Sequence, residues 1–229
     1  MNAKILLYAA YTELEKAAKD LIKGSQLDAI VDVINRFAIY SAVASVVALT
    51  PGIGGVIAML SQTGLVWGTY VMINKTLGIS MKENVVRFIG SAMLTNLATN
   101  AASYLVAYIG ASILTILPFG NVLSVALYVM MGYILIYASS ILYLNLLTKV
   151  MKAKGSFDLD DSDDTKRIID NVVKDSNIKE IIKEGRETFK EKEKSGEFQD
   201  AIKNPKCPNC KSSIKKDQKY CSNCGYKLK

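Results

Sequence analysis

The sequence predicts an all-α membrane protein with duplicated helical hairpins, followed by a small β module folded around four cysteines. Three observations carry that reading. Two long stretches, residues 37–74 and 88–148, contain no charged side chain. Each is interrupted by a short turn that proline opens and glycine follows. The only four cysteines of the chain fall in two close pairs near its C-terminal end.

The averages conceal how unevenly the chain is built. Of its 229 residues, 50% are hydrophobic and 21% charged, and the mean hydropathy is +0.20. The uncharged stretches run for about 38 and about 61 positions, against the ~20 that one bilayer-crossing helix needs. A soluble helix of such length keeps one charged face, so membrane embedding is the expectation. The chain has no histidine. That excludes Ser/His/Asp and Cys/His nucleophile systems, the commonest general base, and mixed His/Cys or His/carboxylate metal sites.

Residues 1–36 read as amphipathic cytosolic helix. Leu14, Ala17, Ala18, Leu21 and Ile22 recur at helical spacing between charged residues, and Gly24 and Ser25 mark a break. The apolar stretch after Lys4 ends at Glu13, too soon for a cleaved signal. The hydrophobic domain then spans 37–148 as two helical hairpins. The first has its tip at 50–55, with Pro51, Gly52, Gly54 and Gly55; the second at 118–121, with Pro118 and Gly120. The two prolines lie about 67 positions apart, and a tyrosine, Tyr40 or Tyr108, precedes each by about ten, as an internal repeat would give. The leading arm of the first hairpin is short for a span unless it extends back through Asp32 and Arg36. Four spans are the first expectation, and two spans with a re-entrant hairpin the alternative.

Between the hairpins, Ser80-Met81-Lys82-Glu83 has capping-box form, and Val85, Val86, Phe88, Ile89, Ala92 and Met93 continue a helix. Asn96 and Asn100 share one helical face, where they can bond to a neighbouring helix or line a polar cavity. Gly64 and Gly68 have the small-xxx-small spacing that lets helix backbones approach closely. Lys75, Lys82, Arg87, Lys149, Lys152 and Lys154 flank the uncharged stretches, whereas the tips carry no charge. By the positive-inside rule both termini are cytosolic, in a multi-pass protein of the cell membrane. These twin hairpins, with Pro51-Gly52-Ile53-Gly54 and Pro118-Phe119-Gly120 at their tips, resemble over residues 27–148 a hydrophobic double-hairpin domain of unknown function that accompanies some bacterial GTPases. The resemblance implies membrane association and a partner NTPase. The chain itself lacks a phosphate-binding loop, because no Lys-Ser/Thr follows Gly52-Ile53-Gly54-Gly55.

Residues 149–203 form a charged helical linker. The aspartates from Asp158 to Asp164 lack the glycine and terminal glutamate of a calcium loop and suit a helix start, where the dipole favours negative charge. Ile168, Ile169, Val172 and Val173 give one apolar face, and Ile178, Ile181, Ile182 and Phe189 another after a Ser176-Asn177 break. These helices have three possible seats: the hydrophobic domain, each other in an oligomer, or a partner. Lys190 to Gly196 reads as a flexible connection.

Residues 204–229 carry the strongest chemical signal, Cys207-Pro208-Asn209-Cys210 followed after ten residues by Cys221-Ser222-Asn223-Cys224-Gly225. Two such knuckles converge four thiolates on one tetrahedral Zn2+ ion, with the knuckle amides turned toward the sulfurs. Four cysteine ligands leave no open position, so the ion is structural. Ile214, Tyr220 and Leu228 supply an apolar core too small to fold without it. The segment resembles the short four-cysteine zinc ribbons of many bacterial and archaeal proteins, with Lys211 where those families usually place glycine; that makes the C-terminal module a small β zinc ribbon. The tail is basic: Lys203, Lys206, Lys211, Lys215, Lys216, Lys219, Lys227 and Lys229 face only Asp217, a balance of +7 that equals the net charge of the whole chain. Anionic lipid, an acidic protein surface or the chain's own aspartate cluster at 158–164 are its expected partners. Nucleic acid is a minor option, since only Tyr220 and Tyr226 are available for stacking.

The expected function is a non-enzymatic membrane anchor or scaffold that presents the ribbon to a cytosolic protein and assembles as a homo-oligomer in the bilayer. The alternative is an oligomeric channel or membrane-remodelling protein working with a GTPase, although it lacks the intramembrane ionisable groups that ion pathways use.

Overall fold

The computed structural model of the chain describes residues 4–22, 25–45, 54–113, 120–215 and 218–228; for 54–61, 98, 100–113 and 120–128 the description is of the helical backbone alone. Among the described residues the fold is helical, with α1 (Ile5–Ala17), α2 (Leu27–Ser45), α3 (Gly54–Leu77), α4 (Glu83–Ile113), α5 (Gly120–Lys154), α6 (Asp163–Asp175), α7 (Ile178–Lys194) and α8 (Glu197–Lys203).

The two hairpins supply a bundle of α2, α3, α4 and α5, with α5 at its centre. The first arm does extend backward: α2 begins at Leu27 and runs through Asp32 and Arg36, whose side chains pair one turn apart at 3.1 Å. Tyrosines tie α3 to α5. Tyr70 and Tyr143 stack with ring centres 4.0 Å apart, Tyr70 Oη donates to the Ser139 carbonyl, and Tyr143 Oη donates to Asn74 Oδ1. Toward the tips, Ser41, Ser45 and Gln62 form a polar layer. Ser41 Oγ donates to the Gly132 carbonyl at 2.7 Å, Ser45 Oγ to the Ser41 carbonyl, and Gln62 Nε2 to Ser45 Oγ. These bonds lock α2, α3 and α5 in one register.

The charged segments wrap the other end of this bundle. Helix α1 lies on α5, burying Leu7, Ala10, Tyr11 and Leu14; Leu21, expected on that face, is 49% exposed because the helix has already ended at Ala17. Helix α6 starts on Ser162, whose hydroxyl accepts from Thr165 N, with Asp163 and Asp164 in its first turn. Helix α7 starts on Asn177, which accepts from Glu180 N. Ile169, Val172 and Val173 bury against α4 and α5, and Ile178, Ile181, Ile182 and Phe189 against α5. Of the three possible seats, the linker helices take the first, the chain's own hydrophobic helices.

Two expectations need correcting here. Lys190–Gly196 is not a loose connection: α7 continues to Lys194, Gly196 turns the chain with φ +79, and α8 follows with Phe198 packed on Phe189 and Tyr133. The start of α4 falls at Glu83, and its carboxylate pairs with Arg87, so the helix opens later than a box capped by Ser80 would place it. The face expected for α4 is present, with Val85, Val86, Ile89 and Met93 buried. Among the described residues one helical segment, Val129–Lys154, is long and apolar enough to cross a membrane, and 72% of its 18-residue apolar window is buried inside the protein.

Candidate metal centre

Each cysteine pair sits in a tight turn, and the two turns are built alike. Lys211 N donates to the Cys207 carbonyl at 2.9 Å and Cys207 N to the Ser212 carbonyl at 2.8 Å; in the second, Gly225 N donates to the Cys221 carbonyl and Cys221 N to the Tyr226 carbonyl, both at 2.8 Å. This turn puts the residue after the second cysteine in the left-handed region, where glycine is favoured. Gly225 has φ +70 and Lys211 has φ +65. The lysine therefore adopts the glycine conformation, and the first knuckle keeps the geometry of the second. Two isolated antiparallel bridges, Lys206 with Ser213 and Tyr220 with Lys227, are the β structure among the described residues.

The four sulfurs converge. All lie within 4.8 Å of one another, with Cys207 to Cys224 at 3.7 Å and Cys210 to Cys221 at 3.5 Å. A tetrahedral ion with Zn–S bonds of about 2.3 Å requires sulfurs ~3.8 Å apart, so this set fits one zinc ion. The knuckle amides of Cys210 and Asn209 hydrogen-bond the Cys207 sulfur, as the expected turn requires. Burial pushes the Cys207 thiol up to about 12, while hydrogen bonds from Ser212 and Asn223 hold Cys210 down at about 5. A zinc ion overrides this difference, because a coordinated thiol is deprotonated outright.

The module does not stand apart from the helices. Its side chains seat on α2 and α3, one turn below the Ser41 layer. Arg36 Nη1 donates to the Pro208 carbonyl at 2.5 Å, and Tyr40 Oη donates to the Leu228 carbonyl at 3.1 Å. Lys211 Nζ lies 3.0 Å from Asp32 Oδ2. The basic tail thus meets an aspartate of its own chain, though not one of the 158–164 cluster. Tyr226 enters beside Phe37, edge to face at 6.0 Å. Gly68 makes the space for it: a Cβ there would overlap the Tyr226 hydroxyl and come within 2.8 Å of Phe37 Cε1. Burial raises the Tyr226 phenol above its ordinary value.

The other expected site residues divide. Cys207, Cys210, Cys221 and Cys224 come together. Gly68 is a packing glycine between Tyr226 of the cysteine module and Phe37 of α2, whereas a Cβ at Gly64 would meet nothing within 4 Å among the described residues. Asn96 bonds between helices, its Nδ2 donating to Asp170 Oδ1 of α6 at 2.9 Å; the Asn100 side chain lies outside the described residues. Pro51, Gly52 and Pro118 also lie outside them, while Gly54 and Gly55 are already in the first turn of α3 and Gly120 opens α5. Lys203, Lys206, Lys215 and Lys219 are exposed, and Lys216 is outside the described residues. Ile214 and Leu228 join the small core as expected, but Tyr220 is 57% exposed, and Tyr226 with Tyr40 takes its place. Sequence reasoning missed Glu184. Its carboxylate, buried under α7, accepts from Leu6 N at 2.6 Å, Leu7 N at 3.1 Å and Tyr137 Oη at 2.9 Å. The one available signal was a glutamate on the otherwise apolar stripe of α7.

No curated protein and no solved structure matches the chain. Residues 206–228 match the family model of a zinc-ribbon domain. With the four sulfurs in place, the C-terminal segment is a zinc ribbon whose Cys207, Cys210, Cys221 and Cys224 fit one structural Zn2+ ion.

Proposed function

We propose that this protein is a non-enzymatic membrane anchor and scaffold, with its hairpin ends in the bilayer and both termini and the zinc ribbon on the cytosolic side. One observation carries the reading. The charged helices and the ribbon all pack on one end of the α2–α5 bundle, and beyond them α3, α4 and α5 continue into sequence that holds no charge. Lipid is the solvent that suits such ends, and the Lys and Arg residues cluster at the wrapped end, where anionic headgroups would lie.

In this reading the ribbon is a clamp before it is a docking module. Zinc folds it, and its seat on α2 and α3 holds the C-terminus against the first hairpin. Its outward side, with Tyr220 and the exposed lysines, is left to recruit a cytosolic protein. The double-hairpin resemblance makes an NTPase the first candidate, and the hairpins favour self-association in the membrane. Two experiments test this. The full chain should float with vesicles and require detergent for extraction; a chain that stays monodisperse without detergent contradicts the anchor. One stoichiometric cytosolic protein should co-purify in mild detergent and be lost on deletion of residues 203–229; retention after that deletion contradicts the recruiting role.

A further inference from the structure

Resting on the membrane reading above, we infer that the two hairpins enter a single leaflet and do not cross the bilayer. The charged elements fix a floor below which lipid cannot reach. On α4 that floor is Asn96, bonded to Asp170 of α6. On α5 it is Tyr133 and Tyr137, the first bonded to Asn35 and packed edge to face against Phe189 and Phe198, the second bonded to the Glu184 carboxylate. On α2 it is Arg36 and Tyr40, held by the ribbon. On α3 it is Trp67, with the Arg87 guanidinium 5.2 Å over its ring, and Gly68 under Tyr226.

The described helix above the floor is short. At ~1.5 Å per residue, α3 offers ~20 Å over 54–66, α4 ~24 Å over 98–113 and α5 ~20 Å over 120–132. Three separate helices give nearly the same reach. A bilayer has a hydrocarbon core of about 30 Å, or about 40–45 Å with its headgroup layers. The described helices therefore match half of the full thickness, one leaflet with its headgroups, and fall short of a crossing. The segment that length and composition select as a span, Val129–Lys154, lies mostly below the floor and is covered by α1, α2 and α7. Ser41, Ser45 and Gln62, just above it, bond to one another and to the Gly132 carbonyl, as polar groups in lipid must.

The test places a fluorescent reporter near the end of the second hairpin. Trp67 is the only tryptophan of the chain, so Leu123→Trp in a Trp67→Phe background gives one signal. The zinc-loaded full chain is reconstituted in vesicles and examined with lipids brominated at shallow or deep acyl positions, and with an impermeant aqueous quencher on both sides of the membrane. Single-leaflet insertion predicts several-fold stronger quenching by deep than by shallow bromines, and no quenching from water. Quenching by the aqueous reagent in protein that floats with the vesicles would place the tip across the membrane and overturn the inference. Failure to float would instead remove the membrane reading beneath it. Ile57→Trp in the same background, close to the start of α3 at Gly54, repeats the measurement on the first hairpin should the Leu123 variant misfold.

Discussion

At the scale of single residues, two positions decide how the ribbon is built and where it sits. Lys211 holds a left-handed backbone at φ +65, which costs a residue with a Cβ roughly 1–2 kcal/mol relative to glycine. Against this stands its exposed ion pair with Asp32, worth about 0–1 kcal/mol. Lys211→Gly should therefore tighten zinc binding by about fivefold, and by at most about thirtyfold, in a chelator competition; weakened binding would show that the lysine contact outweighs the strain. Gly68 is the counterpart on α3. Gly68→Val forces Tyr226 and Phe37 apart, and overpacking of this kind costs about 1–3 kcal/mol. The expected result is faster proteolysis within 206–228 with the zinc content unchanged; unaltered proteolysis would mean that the docked ribbon is not held there. The cysteines were fully legible in the sequence, because ligand spacing is local. Gly68 was legible only as a small residue. Its partner lies more than 150 positions away, and nothing in a Gly-xxx-Gly spacing distinguishes a neighbouring helix from a tyrosine of a zinc ribbon.

At the scale of elements, the helices of the linker were legible from apolar faces and caps. Asn177 caps at the expected Ser176-Asn177 break, and Ser162 caps within the aspartate run expected to start a helix. The seat of each helix was not legible, since an amphipathic face states only that something covers it. The start of α1 shows why. Lys4 offers no side-chain cap, and no acidic residue lies in the first turn; the free amides of Leu6 and Leu7 are met instead by Glu184. Glu184→Ala should cost about 1.5–3 kcal/mol, the range for hydrogen bonds to charged groups, and should speed amide exchange in 5–17 more than in α6. Exchange that rises equally in both would indicate general unfolding and contradict a capping role. Helix ends also shifted where chemistry is shared between elements. Gly78 closes α3 in the left-handed region at φ +70, with Ile79 N donating to the Asn74 carbonyl, the reverse turn that brings α4 back alongside.

At the scale of the molecule, charge patterning identified the uncharged stretches but assigned all of 37–148 to the membrane. Roughly half of that length is wrapped by α1, α6, α7, α8 and the ribbon. Such helices carry no charge because they are buried in protein, and the sequence pattern of protein burial is the same as that of lipid burial. Zinc links the scales. Chelation should unfold the ribbon and free Tyr226 while leaving the helical signal of α2–α5 largely intact, since the buried residues of the two cores are distinct and meet through Tyr40 and Tyr226; collapse of the far-UV helical signal on chelation would contradict a clamp that is added to a self-sufficient bundle. The division of the bundle into a wrapped end and a lipid end is the claim on which the rest depends. Proteinase K digestion of the vesicle-bound full chain in urea, read by mass spectrometry, tests it most directly: fragments confined to about 41–66 and 98–132 are expected, whereas protection continuing through 133–148, or no protected fragment at all, would contradict it.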